Sequence, residues 1–157
     1  VIVWRDGGNS NAGTAIVGTV SGSSISFGSP VVFNSAGLND ASATYDSAAG
    51  KVVIVYEDNG NSDAGTAIVG TVSGSSISFG SSVAFNSQRT FNLTTTYASD
   101  EGKIVVAYSD DNYFYGSAVV GEVSGSSISF GSEVRFDNTN ANDLSLTYDP
   151  ISKKVEH

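Results

Sequence analysis

Apolar positions along the chain follow two patterns, and neither has the 3.6-residue period of a helix. Val52, Val53, Ile54, Val55 and Tyr56 run without a break, which predicts a short strand buried on both faces. A turn marked by Asn59 and Gly60 follows, and residues 66–72 predict a second strand. Beyond the turn at Ser73 and Gly74, Ile77 and Phe79 alternate with serines, so a third strand is expected, continuing through Val83 to Phe85. Leu93, Thr95 and Tyr97 then alternate with Thr94 and Thr96 in a fourth, closed by the turn at Ser99 to Gly102.

This order of elements occurs three times. GTAIVGTVSGSSISFGS at 13–29 returns unchanged at 65–81, and GSAVVGEVSGSSISFGS stands at 116–132. The chain is therefore one repeat domain, 1–157, with repeats of approximately 1–52, 53–104 and 105–157 and no linker. Aromatic residues keep the register: Trp4, Tyr56 and Tyr108; Phe27, Phe79 and Phe130; Phe33, Phe85 and Phe136; Tyr45, Tyr97 and Tyr148. All twelve are expected to be core, packing neighbouring sheets face to face. Four short antiparallel strands per repeat of this length is the blade of a β-propeller. The expected fold class is all-β, with three four-stranded blades. A β-trefoil or a three-sided β-prism fits the same repeat count and is the alternative.

The order ATYDSAAGKVVIVYED (43–58), GTAIVGTVSG, then SSISFGSPVVF (23–33) resembles the blades of sialidase-like (BNR-type) repeat propellers. The Asp-box of that family, SxDxGxTW, falls on Val20 to Phe27, where only Ser26 and Phe27 approximate it. The resemblance implies the blade layout, and it implies no glycosidase activity. Closed propellers have about four to eight blades, so two copies of three are expected to close a six-bladed homodimer. In that dimer LSLTYD (144–149) of one copy would complete the partner's first blade, which opens on VIVW.

Composition removes several chemistries. The chain has no Cys and no Met, which excludes disulfides, thiolate metal sites and Cys nucleophiles. The single His157 lies in a Val155–Glu156–His157 end that resembles a cloning junction, so neither a His base nor a zinc site is expected. Sixteen acidic against seven basic residues give a net charge of -9. That balance argues against nucleic-acid and anionic-membrane partners. No apolar run reaches the ~18 residues of a membrane span, and the 157 residues contain no signal-peptide pattern. Cys-free acidic strands rich in Ser, Thr, Asn and Gly suit an extracellular protein.

Turns of a propeller alternate between two ends. One end carries the near-identical DSAAGK, ASDEGK and DPISKK turns, at 46–51, 98–103 and 149–154. At the other the repeats diverge: AGLND, QRTFN and NANDL, and GGNSNA, NGNSDA and DNYFY. Divergent loops on a repeated scaffold are where recognition is placed. Phe91, Tyr113, Phe114 and Tyr115, the four aromatics outside the repeat register, all fall there, near Arg89 and Asn92. Rings flanked by polar groups stack on the apolar face of a sugar; packing against a neighbouring blade or the dimer seam is the competing role. These six residues are the candidate ligand-binding set. Arg5, Arg89 and Arg135 occupy non-equivalent positions, so no carboxylate-clamping triad is expected. Asp6, Asp58, Asp110 and Glu57 read as turn-capping carboxylates. Asp58 and Asp63 are the candidate calcium ligands, although the spacing of their loop departs from EF-hand patterns. No other cofactor is expected. The expected function is a non-catalytic binding module for carbohydrate or cell-surface recognition. A structural repeat, or an engineered symmetric scaffold without ligand, is the alternative, and a sialidase-like glycosidase comes third.

Overall fold

The computed structural model describes residues 1–110 and 114–156. They are all-β, with one 3-10 turn at Asn59–Asn61 and no α-helix, and no sheet closes into a barrel. Counted by sheet, repeats 2 and 3 each begin one strand earlier than the sequence boundaries at 53 and 105, because β6 pairs with β7 and the end of β10 pairs with β11; repeat 1 contains β1 (Ile2–Asp6), β2 (Ala12–Ile16), β3 (Gly18–Ser21), β4 (Ser24–Phe27) and β5 (Val31–Asn34). Repeat 2 contains β6 (Leu38–Asp46), β7 (Lys51–Asp58), β8 (Ala64–Ser73), β9 (Ser76–Phe79) and the start of β10 (Val83–Ala98). The end of β10, β11 (Lys103–Asp110), β12 (Gly116–Ser124), β13 (Ser127–Phe130) and β14 (Val134–Asp137) form repeat 3, and a hairpin of β15 (Thr147–Asp149) and β16 (Lys154–Glu156) follows.

Repeat 2 shows the unit whole. β6, β7 and β8 form an antiparallel meander. The fourth position is shared, because β9 pairs with Gly70 to Ser73 of β8 while the start of β10 pairs with Ala64 to Ala67. The single third strand expected from Ile77 to Phe85 is therefore broken in two. The break is backbone chemistry: Gly80 N–H donates to the Val69 carbonyl (2.9 Å), and a Cβ on Gly80 would collide with the Ser126 carbonyl of the next repeat. Gly28 bonds Val17 in the same way (3.0 Å) and would collide with the Ser75 carbonyl. A residue without a side chain lets the neighbouring turn press directly on the main chain.

β10 also corrects the expected loop at 88–92. Those residues are strand: Arg89 pairs with Ala64, and Thr90 and Phe91 pair with Asp110 and Ser109. One strand thus serves as the last of repeat 2 and the first of repeat 3, which joins β6 to β13 in a nine-stranded sheet. At the other extreme, the strand expected over 144–149 is reduced to Thr147–Asp149. In β6 the residues equivalent to 144–146 are held by β7, and in β10 Thr94 and Thr95 are held by β11, whereas among the described residues no strand lies beside 144–146.

The core is two seams between repeats. Ala15, Val17, Ile54, Tyr56, Ile68 and Ile77 fill the first. Val53, Val55, Val69, Val106, Tyr108 and Ile128 fill the second. Alternation along β7 sends Ile54 and Tyr56 to one seam and Val53 and Val55 to the other, which is why this strand is apolar throughout. The rings repeat their contacts: Phe33 lies 5.3 Å from Tyr56 and 5.8 Å from Phe79, and Phe85 lies 5.2 Å from Tyr108 and 5.5 Å from Phe130. Such pairs add about 0.5–1.5 kcal/mol each beyond area burial.

Not all twelve register aromatics are core. Tyr56 and Tyr108 are buried, whereas Phe27, Tyr45 and Phe136 are exposed. Tyr45 is the penultimate residue of β6, next to the exposed turn 47–50. Phe27 and Phe136 stand in repeats 1 and 3, each of which has a neighbouring repeat on one side only.

Candidate functional site

The divergent end is built where β7 stops and β10 passes. Glu57 and Asp58 close β7, and Asp58 caps the 3-10 turn by accepting from Gly60 N–H (3.1 Å). Ser62 and Asp63 then take left-handed backbone, with φ of 56° and 61°, and the chain re-enters the sheet at Ala64. Across from Ala64 lies Arg89. Its Nε sits 3.6 Å from Glu57 Oε1 and 3.4 Å from Asp63 Oδ2. Two residues on, and on the same side of the strand, the Phe91 ring lies under the guanidinium at 4.4 Å. Phe91 in turn lies 5.4 Å from Phe114.

Phe114 is held in left-handed backbone (φ 59°), a costly conformation for a bulky residue. Its N–H donates to the Asp110 carbonyl (3.1 Å) and its carbonyl accepts from Ala141 N–H (2.8 Å). Phe114 as a whole remains 42% exposed, so the cluster has a surface a ligand can reach. Behind it Glu57 is 3% exposed. Asn39 Nδ2 donates to Glu57 Oε1 (3.2 Å) and to Asn59 Oδ1 (3.1 Å). Burial pushes the Glu57 carboxyl above the ordinary range and the nearby Asp63 charge adds to this, while Asn39 and Arg89 act in the opposite direction.

Of the six predicted ligand residues, Arg89, Phe91 and Phe114 come together. Asn92, also left-handed (φ 48°), directs its amide to the Ser109 hydroxyl at 3.5 Å. Tyr115 belongs to an adjacent group, where the Arg135 guanidinium stacks on its ring at 4.1 Å and binds Asp110 Oδ2 at 3.2 Å. Tyr113 lies outside the described residues. The calcium pair does not converge: Asp58 Oδ1 takes Gly60 N–H and the Asn34 amide, while Asp63 faces Arg89. Among the described residues no three His, Cys, Asp or Glu side chains cluster as a metal site. Arg89 and Arg135 are held by separate acids and Arg5 is exposed on β1.

Glu57 is the residue whose role sequence reasoning missed; Asn39, its partner, lies in the divergent AGLND segment. Asp6 and Asp58 do cap turns, through Gly8 N–H and Gly60 N–H at 3.1 Å; Glu57 pairs with Asn39 and Arg89, and Asp110 pairs with Arg135, while the turn that follows Asp110 lies outside the described residues. A signal was present, since position 57 is Arg5 in repeat 1 and Ser109 in repeat 3. Such variation is unusual beside the recurring apolar run that precedes it. No helix among the described residues is long and apolar enough to cross a membrane. Scans of family models, of curated proteins and of solved structures find no match for the chain.

Proposed function

We propose that the three repeats are β-propeller blades of the sialidase-like kind and that the chain is a non-catalytic binding module. It recognises carbohydrate, free or on an extracellular surface, through the divergent end. The blade reading is supported by the four strand positions of repeat 2 and by seams that stack sheets face to face. The observation that carries the binding reading is the Arg89–Phe91–Phe114 stack. It joins an accessible aromatic ring, held by strained backbone, to a cation and to the polar group of Asn39, Glu57 and Asp63. Pyranose faces stack on aromatic rings while charged and amide groups take the hydroxyls. The buried Glu57 carboxylate anchors Arg89, so the cation is positioned before any ligand arrives.

A glycan array followed by calorimetry on the best ligand tests this. Phe114→Ala and Phe91→Ala are each expected to weaken binding by about tenfold or more, which corresponds to 1.4 kcal/mol per factor of ten. An array on which the unaltered protein retains no glycan, with or without calcium, overturns the reading in favour of a structural scaffold. Turnover of a fluorogenic sialoside would overturn its non-catalytic part.

A further inference from the structure

Three repeats make two seams and leave two outer sheet faces, one on repeat 1 and one on repeat 3. Both are apolar where the seams are apolar. Ile25 of repeat 1 is 50% exposed, whereas Ile77 and Ile128, at the same position in repeats 2 and 3, are 4% and 3% exposed. Phe27 is 51% exposed, while its equivalents Phe79 and Phe130 pack on Phe33 and Phe85 across the seams. On repeat 3 the relation is reversed. Val120 is 49% exposed, and its equivalents Val17 and Val69, which face the following repeat, are 6% and 0% exposed. Val134 is 66% exposed, where Val31 and Val83 pack against the seams.

Backbone features mark the same two faces. Gly28 and Gly80 are pressed by the Ser75 and Ser126 carbonyls of the following repeat. Gly131 keeps the bond to Val120 (2.9 Å), yet a Cβ there would meet only the Val120 carbonyl, at 3.8 Å, among the described residues. The carbonyl equivalent to Ser75 and Ser126 is that of Ser23, on repeat 1. β1 hydrogen-bonds on one side only, to β2, among the described residues. Residues 144–146 lack the strand that holds Ala41 to Ala43 on β7. The register of β6 on β7 would set Leu144 opposite Trp4 and Leu146 opposite Ile2.

We propose that these faces are the two halves of a third seam, and that the occupant of each is a second copy of this chain. Repeat 3 of one copy docks head-to-tail on repeat 1 of the other, with the Ser23 carbonyl seated on Gly131 and residues 144–146 added as a strand to the edge of β1. The seam is continuous in kind with the two inside the chain: the same positions meet, and the missing sheet pairing is supplied. Two such contacts close two copies into a ring of six sheets. Three copies would give nine, beyond the four to eight that closed rings of this type contain, and a head-to-tail contact that does not close builds a filament. The count of two rests on the blade reading proposed above; the pairing of the faces does not.

Light scattering on the purified chain, with one substitution on each face, tests this. The unaltered 16.1 kDa chain is expected at about 32 kDa, the mass of a closed pair. Ile25→Glu and Val120→Glu, each at an exposed side chain, are each expected to give monomers with an unchanged circular dichroism spectrum. Mixed in equal amounts, they should return to the dimer mass, because each retains the face the other has lost. An unaltered chain that stays monomeric at the highest concentration reached overturns the proposal, as does a mixture that stays monomeric. Dissociation by only one of the two substitutions would mean that like faces meet, and also overturns it. Particles that grow with concentration overturn closure at two copies, and the blade reading with it, while leaving glycan recognition to its own test.

Discussion

Ile77 and Ile25 are the same residue in the same sentence of sequence, SGSSISFGS, and one is sealed in a seam while the other is half in solvent. Their surroundings differ only in whether another repeat stands beside them. Burial in this molecule is a property of the neighbour, not of the residue. Repeat architectures draw their stability from contacts between adjacent units in this way, with each unit unable to cover its own apolar faces.

The comparison is most strongly tested at the ring contacts. Phe85→Ala removes the partner of both Tyr108 and Phe130 and is expected to cost about 3–5 kcal/mol, read from urea unfolding. Ile128→Ala, in the second seam, is expected to cost about 2–4 kcal/mol. Ile25→Ala, placed in a monomeric Val120→Glu background, is expected to stay within about 0.5 kcal/mol of that background. A loss there as large as that of Ile128→Ala would mean that the outer face of repeat 1 is covered by the chain itself.

Titration sharpens the comparison further, because the seams hold phenols where repeat 1 has Trp4. Burial, with the Asp58 charge adding, pushes the Tyr56 phenol up to about 12. Tyr108 is also raised, by burial first and then by Glu133, to which its hydroxyl donates. The unfolded phenol ionises near its ordinary value of about 10 and the buried one does not. Stability from these groups is thus complete below pH 10 and falls as the pH rises from about 10 towards 12. Tyr56→Phe should flatten part of that fall in alkaline denaturation curves. The smallest effect is expected at Glu57. Its raised carboxyl keeps its proton longer in the folded state, so its contribution falls as pH rises from the ordinary carboxylate range through the raised value. Glu57→Gln removes that slope while Asn39 keeps an acceptor. Urea midpoints between pH 4 and 7 that keep their slope in Glu57→Gln would locate the dependence elsewhere.

Much of the fold was legible because period-two alternation and repeated segments report strand and register directly. They do not report whether a face is covered, which is why Phe27 and Tyr45 looked like core. Nor does local sequence show that QRTFN at 88–92 continues a strand: its polar residues resemble a turn, and only pairing with Asp110 and Ser109 on one side and Ala64 on the other keeps it extended. At the candidate site, the i, i+2 spacing of Arg89 and Phe91 was readable as one face of an extended segment. The approach of Phe114 was not, since it depends on left-handed backbone fixed by Asp110 and Ala141. Glu57 was hidden by the turn-capping aspartate beside it.

β10 carries a consequence for how the chain comes apart. Repeats 2 and 3 share this hydrogen-bonded strand, bulged between Phe91 and Thr94 but without a break, so neither can loosen without tugging on the other's ladder. Repeats 1 and 2 are joined differently, through the turn at Ser35 to Gly37, where the backbone turns left-handed (φ 90° at Gly37). Amide exchange in repeats 2 and 3 should therefore fall in step, as one cooperative unit. Repeat 1, alone behind its turn, should be the part that breathes first.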